Sequence, residues 1–264
     1  MRITVDGARI FVRDVGAGRP VLLLHGNPDS ADLWDGVLPL LSPRFRCLAP
    51  DLPGFARSEI PADFDFRLPS MARFVARLLA ELRLGSGRVD LVVHDFGGPY
   101  GLSWAVENPG RVRRIAVICS FFTSRLRWHF WARLWRTPGV GEIAMALMNR
   151  RLFAFELRRG SPRLSRQHLE RAWAHVDPAA KRMILALYRA TDPGCFRGWE
   201  ERFAALAEQR PVKVLWGRRD PYLDVGLART FGTDDVEVFD DAGHWLPVEE
   251  PAAVGERLLA FLER

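Results

Sequence analysis

Short apolar runs alternate with amphipathic stretches over the first 120 and the last 70 or so residues of the chain. The apolar runs predict buried strands of a parallel sheet at 20–24, 46–50, 89–93, 114–119, 212–216 and 236–239. A hairpin over 2–14, turning at Asp6-Gly7, precedes them. Helical spacing of apolar residues predicts helices between the strands, most clearly at 71–82 and 251–262. Strands that alternate with helices predict an α/β fold with a mostly parallel sheet flanked by helices.

The alternation stops in the middle of the chain. Helical patterns without strands cover 126–136, 142–158, 165–175 and 178–190. They predict a helical cap over 121–192, inserted in a core domain made of 1–120 and 193–264. A further helix is expected over 30–41, capped by Ser30 or Asp32.

Composition indicates a globular protein in a reducing compartment. Hydrophobic residues make up 48% of the 264 positions and charged residues 27%. Cys47, Cys119 and Cys195 lie far apart without a CxxC pair, which favours free thiols and gives no sign of a metal site. No apolar run is long enough to span a membrane, and no signal-peptide pattern opens the sequence. These features predict a cytoplasmic protein without stable membrane insertion; they leave the oligomeric state open.

The positive charge is concentrated in the predicted cap. Residues 121–192 hold 14 Lys plus Arg against 5 Asp plus Glu, whereas the whole chain has a net charge of +6. An Arg-rich solvated face is the favoured explanation, with an anionic partner or a membrane surface as the alternative. No aromatic-and-basic motif accompanies the charge, so we expect no nucleic-acid partner.

Candidate chemistry begins where the strand at 89–93 ends. Asp95 follows it, Gly97 and Gly98 come next, and a helical pattern starts near Pro99. Strand, sharp turn and helix are the setting of a nucleophile elbow, with Asp95 at the apex. A carboxylate there can attack carbon and form an ester. The alternative is that Asp95 only caps the following helix.

Two more strand ends carry complementary groups. Asp220 lies in Trp216-Gly217-x-x-Asp220, and His244 lies in Gly243-His244-Trp245. Because ligands bind at the carboxyl ends of parallel strands, we expect both side chains near Asp95. Asp224 or Asp241 is the alternative acid.

Together with His25-Gly26-x-Pro28 and the Gly54 loop, these motifs run along nearly the whole chain. Their order resembles that of the α/β-hydrolase fold family, and an Asp nucleophile resembles its haloalkane dehalogenase and epoxide hydrolase branch.

The resemblance implies roles for each site residue. Asp95 would form an alkyl-enzyme ester, His244 would activate water to hydrolyse it, and Asp220 would orient His244. The backbone N–H groups of Asn27 and Phe96 would form the oxyanion hole. His25 and His94 are expected to hold loops. The resemblance implies no cofactor, and the substrates would be a small apolar organic molecule and water.

Asn27 favours dehalogenation, because dehalogenase relatives use the Asn of His-Gly-Asn-Pro to hold the departing halide. They usually place Trp directly after the nucleophile, whereas Phe96 has no N–H. A cap tryptophan is the possible substitute. Trp128, Trp131 and Trp135 share a helical face, which predicts packing, pocket lining or membrane-interface contact. Trp173 and Trp199 are also available.

Epoxide opening would need an acid, and Tyr188 is the cap tyrosine in the matching place. Epoxide hydrolases mostly use two, and no second one is found in the cap. Fluoroacetate-type dehalogenases place Arg after the nucleophile, so Phe96 does not match them. Haloalkane cleavage is favoured slightly over epoxide opening. A lactone or ester hydrolase and a non-catalytic ligand receptor remain alternatives.

Overall fold

The computed structural model describes residues 1–84 and 87–264, and eight of its strands form one sheet. The strand order is β1-β2-β4-β3-β5-β6-β7-β8. The pairs β1/β2 and β2/β4 are antiparallel, and every other pair is parallel. The strands are β1 Arg2–Val5, β2 Ala8–Val15, β3 Arg19–Leu24, β4 Phe45–Pro50, β5 Val89–Asp95, β6 Val112–Ser120, β7 Val212–Gly217 and β8 Val236–Phe239. The predicted fold class is therefore confirmed.

The helices connect these strands and cover the sheet. They are α1 Leu38–Leu41, α2 Leu68–Glu81, α3 Gly97–Glu107, α4 Phe130–Arg136, α5 Val140–Leu147, α6 Arg150–Gly160, α7 Arg166–Ala174, α8 Pro178–Ala190, α9 Trp199–Ala207, α10 Leu246–Glu249 and α11 Pro251–Glu263. Short 3₁₀ helices occupy Ala31–Trp34, Pro109–Arg111, Pro193–Phe196 and Val225–Phe231. None of the helices in the described part of the chain is long and apolar enough to cross a membrane.

The predicted helix over 30–41 is wrong in extent. A 3₁₀ helix capped by the Ser30 hydroxyl ends at Trp34, and α1 begins only at Leu38. Pro39, in the first turn of α1, has no N–H to bond the carbonyl four residues back, so one continuous helix cannot pass through it.

The predicted helix over 142–158 is divided in two. Met148 leaves the helical conformation, and the Asn149 side chain then accepts hydrogen bonds from the N–H groups of Arg151 and Leu152. An Asn side chain that satisfies these N–H groups starts a new helix, α6. Likewise, α4 begins at Phe130 rather than at Leu126, and α9 was not predicted.

Helices α4 to α8 all lie between β6 and β7, and we propose 121–192 as the bounds of the cap. Side chains and backbone tie this segment to the strand-end loops. The Tyr222 hydroxyl donates to the Glu156 carbonyl (2.7 Å), and the Ser161 hydroxyl accepts from the Trp245 N–H (2.8 Å). His168 Nε2 lies 3.0 Å from the Asp29 carboxylate. The helical segment is therefore fixed against the carboxyl edge of the sheet.

Candidate active site

Asp95 lies at the sharp turn between β5 and α3. Its φ of +48° is unusual for a residue with a side chain. The crossing leaves no room for a Cβ at Gly97, which would stand 2.2 Å from the Leu24 carbonyl oxygen. Phe96 occupies the cap position of α3, so the alternative in which Asp95 is a helix cap is wrong.

The Asp95 carboxylate is buried against backbone donors. Its Oδ2 accepts a hydrogen bond from the Asn27 N–H at 2.8 Å, and the Phe96 N–H is a second donor. A Cβ at residue 26 would stand 2.3 Å from this oxygen, so Gly26 is required for the approach. Burial raises the pKa of Asp95 to about 6 against the opposing effects of His244 and these donors. The carboxylate is therefore ionised at neutral pH.

His244 lies between Asp95 and Asp220. Asp220 Oδ2 is 2.7 Å from His244 Nδ1, and the N–H groups of Tyr222 and Leu223 donate to Asp220 Oδ1. A carboxylate only accepts, so the ring proton lies on Nδ1 and Nε2 is left as a base. Burial opposes protonation of His244, but the charges of Asp220 and Asp95 outweigh it and raise its pKa.

The distance from His244 Nε2 to Asp95 Oδ1 is 4.0 Å. It is too long for a hydrogen bond. A serine nucleophile would need that bond to lose its proton, whereas an ionised carboxylate does not. The imidazole is thus placed to act on a third molecule.

The alternative acids do not contact His244. The Asp224 side chain accepts from the Gly226 N–H and caps the 3₁₀ helix at Val225–Phe231. Asp241 is exposed and pairs with Arg219. The structure brings only Asp220, of the three predicted candidates, to the imidazole.

The two histidines predicted to hold loops do so. His25 accepts the Leu52 N–H at Nε2 and donates to the Gly26 carbonyl from Nδ1. His94 Nε2 lies 2.9 Å from the His244 carbonyl oxygen, and burial lowers the pKa of His94 to about 3. Both rings are neutral at ordinary pH and fix the backbone around the site.

An aromatic cavity stands over Asp95 and His244. Its aromatic lining consists of Phe121, Trp128, His129, Trp131, Trp135, Phe153, Tyr188, Tyr222 and Trp245. The predicted face of three tryptophans thus lines the cavity. Trp173 instead packs on Phe153, and Trp199 lies in α9 under the Arg202 guanidinium.

Trp128 stands beside the position where a tryptophan was expected. Its ring stacks on Phe96 with 6.2 Å between centroids, and the Tyr188 ring contacts both. The indole N–H groups of Trp128 and Trp135 are buried and have no hydrogen-bond partner among the described residues. The Asn27 side-chain amide reaches the Tyr188 hydroxyl at 3.4 Å. Both of these tryptophans, Trp128 and Trp135, line the cavity that also contains Asp95.

Three polar residues that line the cavity, Tyr222, His129 and Glu156, were not predicted from the sequence. Tyr222 lies two positions after Asp220, but its hydroxyl is bonded to the Glu156 carbonyl. His129 accepts the Ala132 N–H at Nδ1, and burial lowers its pKa to about 3. His129 could have been predicted from its position directly after Trp128, which was expected to be near the pocket. Among the described residues, no cluster of His, Cys, Asp and Glu could hold a metal ion.

The family model of the alpha/beta hydrolase fold matches residues 19–251, and the chain belongs to this family. It is 28% identical over 277 residues to haloalkane dehalogenase 2 of Mycobacterium tuberculosis, covering 95% of this chain and 90% of that protein. It is 29% identical over 275 residues to the cis-3-alkyl-4-alkyloxetan-2-one decarboxylase of Xanthomonas campestris, covering 94% and 89%.

The chain is also similar to solved structures of haloalkane dehalogenases. A loop variant of a haloalkane dehalogenase from Bradyrhizobium elkanii superposes with a TM-score of 0.84 at 25% identity, covering all of this chain and 96% of that one. The resemblance to haloalkane dehalogenases inferred from the motifs is thereby confirmed. The chain is a hydrolase of the α/β-hydrolase fold, and its relatives include other hydrolases as well.

Replacing Asp95 should stabilise the fold at alkaline pH. The pKa of Asp95 is raised to about 6, so the folded state favours the protonated acid and loses stability as pH rises through that value. We expect Asp95→Asn to raise the free energy of unfolding by about 1–3 kcal/mol near pH 8, and by less near pH 4. Urea denaturation at both pH values measures this. A variant less stable than the original protein near pH 8 would contradict it.

Proposed function

We propose that the protein hydrolyses a carbon–halogen bond of a small apolar substrate through an alkyl ester on Asp95. The proposal rests on one observation: the two oxygens of the Asp95 carboxylate have different environments. One oxygen accepts the Asn27 N–H, and the other faces the cavity and His244. Asp95, His244 and Asp220 would form the catalytic triad.

In the first step, Asp95 Oδ1 attacks the halogen-bearing carbon. The new C–O bond takes the place of the carbon–halogen bond, whose electron pair leaves with the halide. The apolar cavity holds the alkyl group. Because only the ionised carboxylate attacks, alkylation should weaken below a pH of about 6.

In the second step, water attacks the ester carbonyl carbon of Asp95. His244 Nε2 takes the proton of the water, and Asp220 stabilises the imidazolium. Negative charge develops on Oδ2, where the N–H groups of Asn27 and Phe96 lie. Collapse breaks the bond between the carbonyl carbon of Asp95 and the oxygen that carries the alkyl group. The alkoxide takes the proton from His244 and leaves as the alcohol, and the new carboxylic acid of Asp95 loses its proton to solvent.

The leaving halide needs N–H donors, because it departs as an anion without a proton. Phe96 supplies none from its ring, but Trp128 stacks on it and has an unpaired indole N–H. The Asn27 side-chain amide is the second donor in the cavity wall. We assign the halide site to Trp128 and Asn27, with the ring of Phe96 as the platform under Trp128.

Epoxide opening is the second candidate, and one observation favours it. The Tyr188 hydroxyl is buried in the cavity and accepts a hydrogen bond from the side-chain N–H of Asn27. Its own proton is therefore free to be donated to a leaving alkoxide. Burial also raises the pKa of Tyr188, which keeps that proton in place.

Two conservative variants separate these candidates. Trp128→Phe removes the indole N–H and should lower dehalogenation by about 10–100-fold and weaken bromide inhibition, while leaving epoxide opening largely unchanged. Tyr188→Phe should do the reverse. The measurement is bromide release from 1-bromohexane and diol formation from 1,2-epoxyhexane. Loss of diol formation in Tyr188→Phe, with no bromide release in any variant, would favour the epoxide hydrolase.

A lactone substrate is a further alternative, because one relative is named for an oxetanone. An ester hydrolase and a ligand receptor also use this fold. Undetectable turnover of haloalkanes and epoxides, with tight binding of an apolar ligand, would favour the receptor.

A further inference from the structure

Helices α4, α5 and α6 form the roof of the cavity. Their inner face lines the cavity, and their outer face points away from it. Helix α4 lines the cavity through Trp131 and Trp135, and α6 lines it through Phe153 and Leu157. Helix α5 lines it through Met145, and Met148 lines it just after the end of α5. On a helix, side chains two positions away from such residues point to the opposite side. The residues there decide what the roof presents to its surroundings.

Three large apolar side chains, those of Ile143, Leu147 and Phe155, are exposed at such positions, and Phe130 is exposed at the start of α4. Ile143 and Leu147, one helical turn apart on α5, are 62% and 68% exposed. Phe155 on α6 and Phe130 at the start of α4 are 64% and 58% exposed. Most of the large hydrophobic side chains exposed in the described chain therefore lie on these three consecutive helices. Apart from Glu142, α5 consists of apolar residues and glycine, and an exposed apolar cluster of this kind is ordinarily covered.

Arginines border the apolar residues. Arg151, Phe155 and Arg158 follow one another at i, i+4 and i+7 along one face of α6, and Arg133 is one turn after Phe130 on α4. All three arginines are exposed, and none forms an ion pair with a carboxylate among the described residues. The excess of basic residues in 121–192 thus includes arginines without carboxylate partners, and these arginines border exposed apolar side chains.

We propose that this outer roof face, formed by Phe130, Ile143, Leu147 and Phe155 with Arg151 and Arg158, docks peripherally on an anionic lipid bilayer. Short helices with apolar and Arg side chains on one face suit the interface between lipid head groups and acyl chains. A second copy of the chain is a poorer occupant. A two-fold interface through this face would bring the arginines of both copies together. Docking does not depend on the proposed function, but it would bring the cavity roof next to a reservoir of apolar molecules.

Flotation of the full chain with vesicles tests the docking. We expect binding to phosphatidylcholine vesicles that contain about 30% phosphatidylglycerol, little binding to phosphatidylcholine alone, and loss at high salt. Ile143→Ser with Leu147→Ser, and separately Arg151→Glu with Arg158→Glu, should each reduce binding at least about tenfold.

Matched controls come from elsewhere on the surface. Ile60→Ser and Arg229→Glu also change an exposed Ile and an exposed Arg, and they should leave binding unchanged. Circular dichroism confirms folding of every variant. Three results would overturn the proposal: no binding to anionic vesicles, binding that survives both double substitutions, or a stable dimer in sedimentation that the roof substitutions dissolve.

Discussion

His244→Ala should release one equivalent of halide per chain and then stop. Alkylation needs only the carboxylate of Asp95, whereas ester hydrolysis needs the base at Nε2. We expect steady-state turnover to fall at least about 10³-fold with the first release intact. The backbone bonds of residue 244 to Gly160 and His94 do not involve its side chain, so the loop should persist. Rapid-quench measurement of bromide from a bromoalkane tests this.

Asp95→Asn is the matched control. Its amide can still accept the Asn27 N–H, but it is not an anionic nucleophile, so neither the burst nor turnover is expected. A halide burst in Asp95→Asn would contradict the assignment of the nucleophile. Absence of a burst in both variants, with normal folding, would contradict dehalogenation itself.

Asp220→Asn should slow turnover about 10³–10⁴-fold, because it changes the tautomer of His244. The N–H groups of Tyr222 and Leu223 will hold the side-chain oxygen, so the amide N–H turns toward His244. Nδ1 then becomes an acceptor, and Nε2 carries the proton and is no longer a base.

Single-turnover kinetics separate the two steps in Asp220→Asn. The expected result is near-normal alkylation with slow ester hydrolysis. Asp224→Asn, which changes an exposed helix cap, should leave both rates unchanged. Equal slowing of both steps in Asp220→Asn would show that the substitution disturbs the nucleophile as well.

The sheet and the strand ends were predictable because their signals are local. β3 and β5 are largely apolar runs between polar turns. Such runs are typical of buried parallel strands. The glycines around Asp95 likewise mark the turn itself. Once the strands are placed, topology brings Asp95, Asp220 and His244 to one edge.

The cavity wall was less predictable because it depends on tertiary packing. The ring of Trp128 meets Phe96 only because the segment after β6 folds back over the elbow, and no local pattern encodes that contact. Tyr222 was missed for the same reason, because it enters the cavity from a loop of the core and not from the cap, where the tyrosine acid was expected. The break at Asn149 was missed because apolar periodicity continues across it.

The proposed covalent ester on Asp95 is tested most directly by the mass of His244→Ala after incubation with a bromoalkane. A mass increase equal to the alkyl group, mapped to the peptide that carries Asp95, is the predicted result. A hydroxyalkyl adduct after incubation with an epoxide would keep the nucleophile and change the substrate class. An unmodified chain that remains folded in the presence of both compounds would contradict carboxylate catalysis.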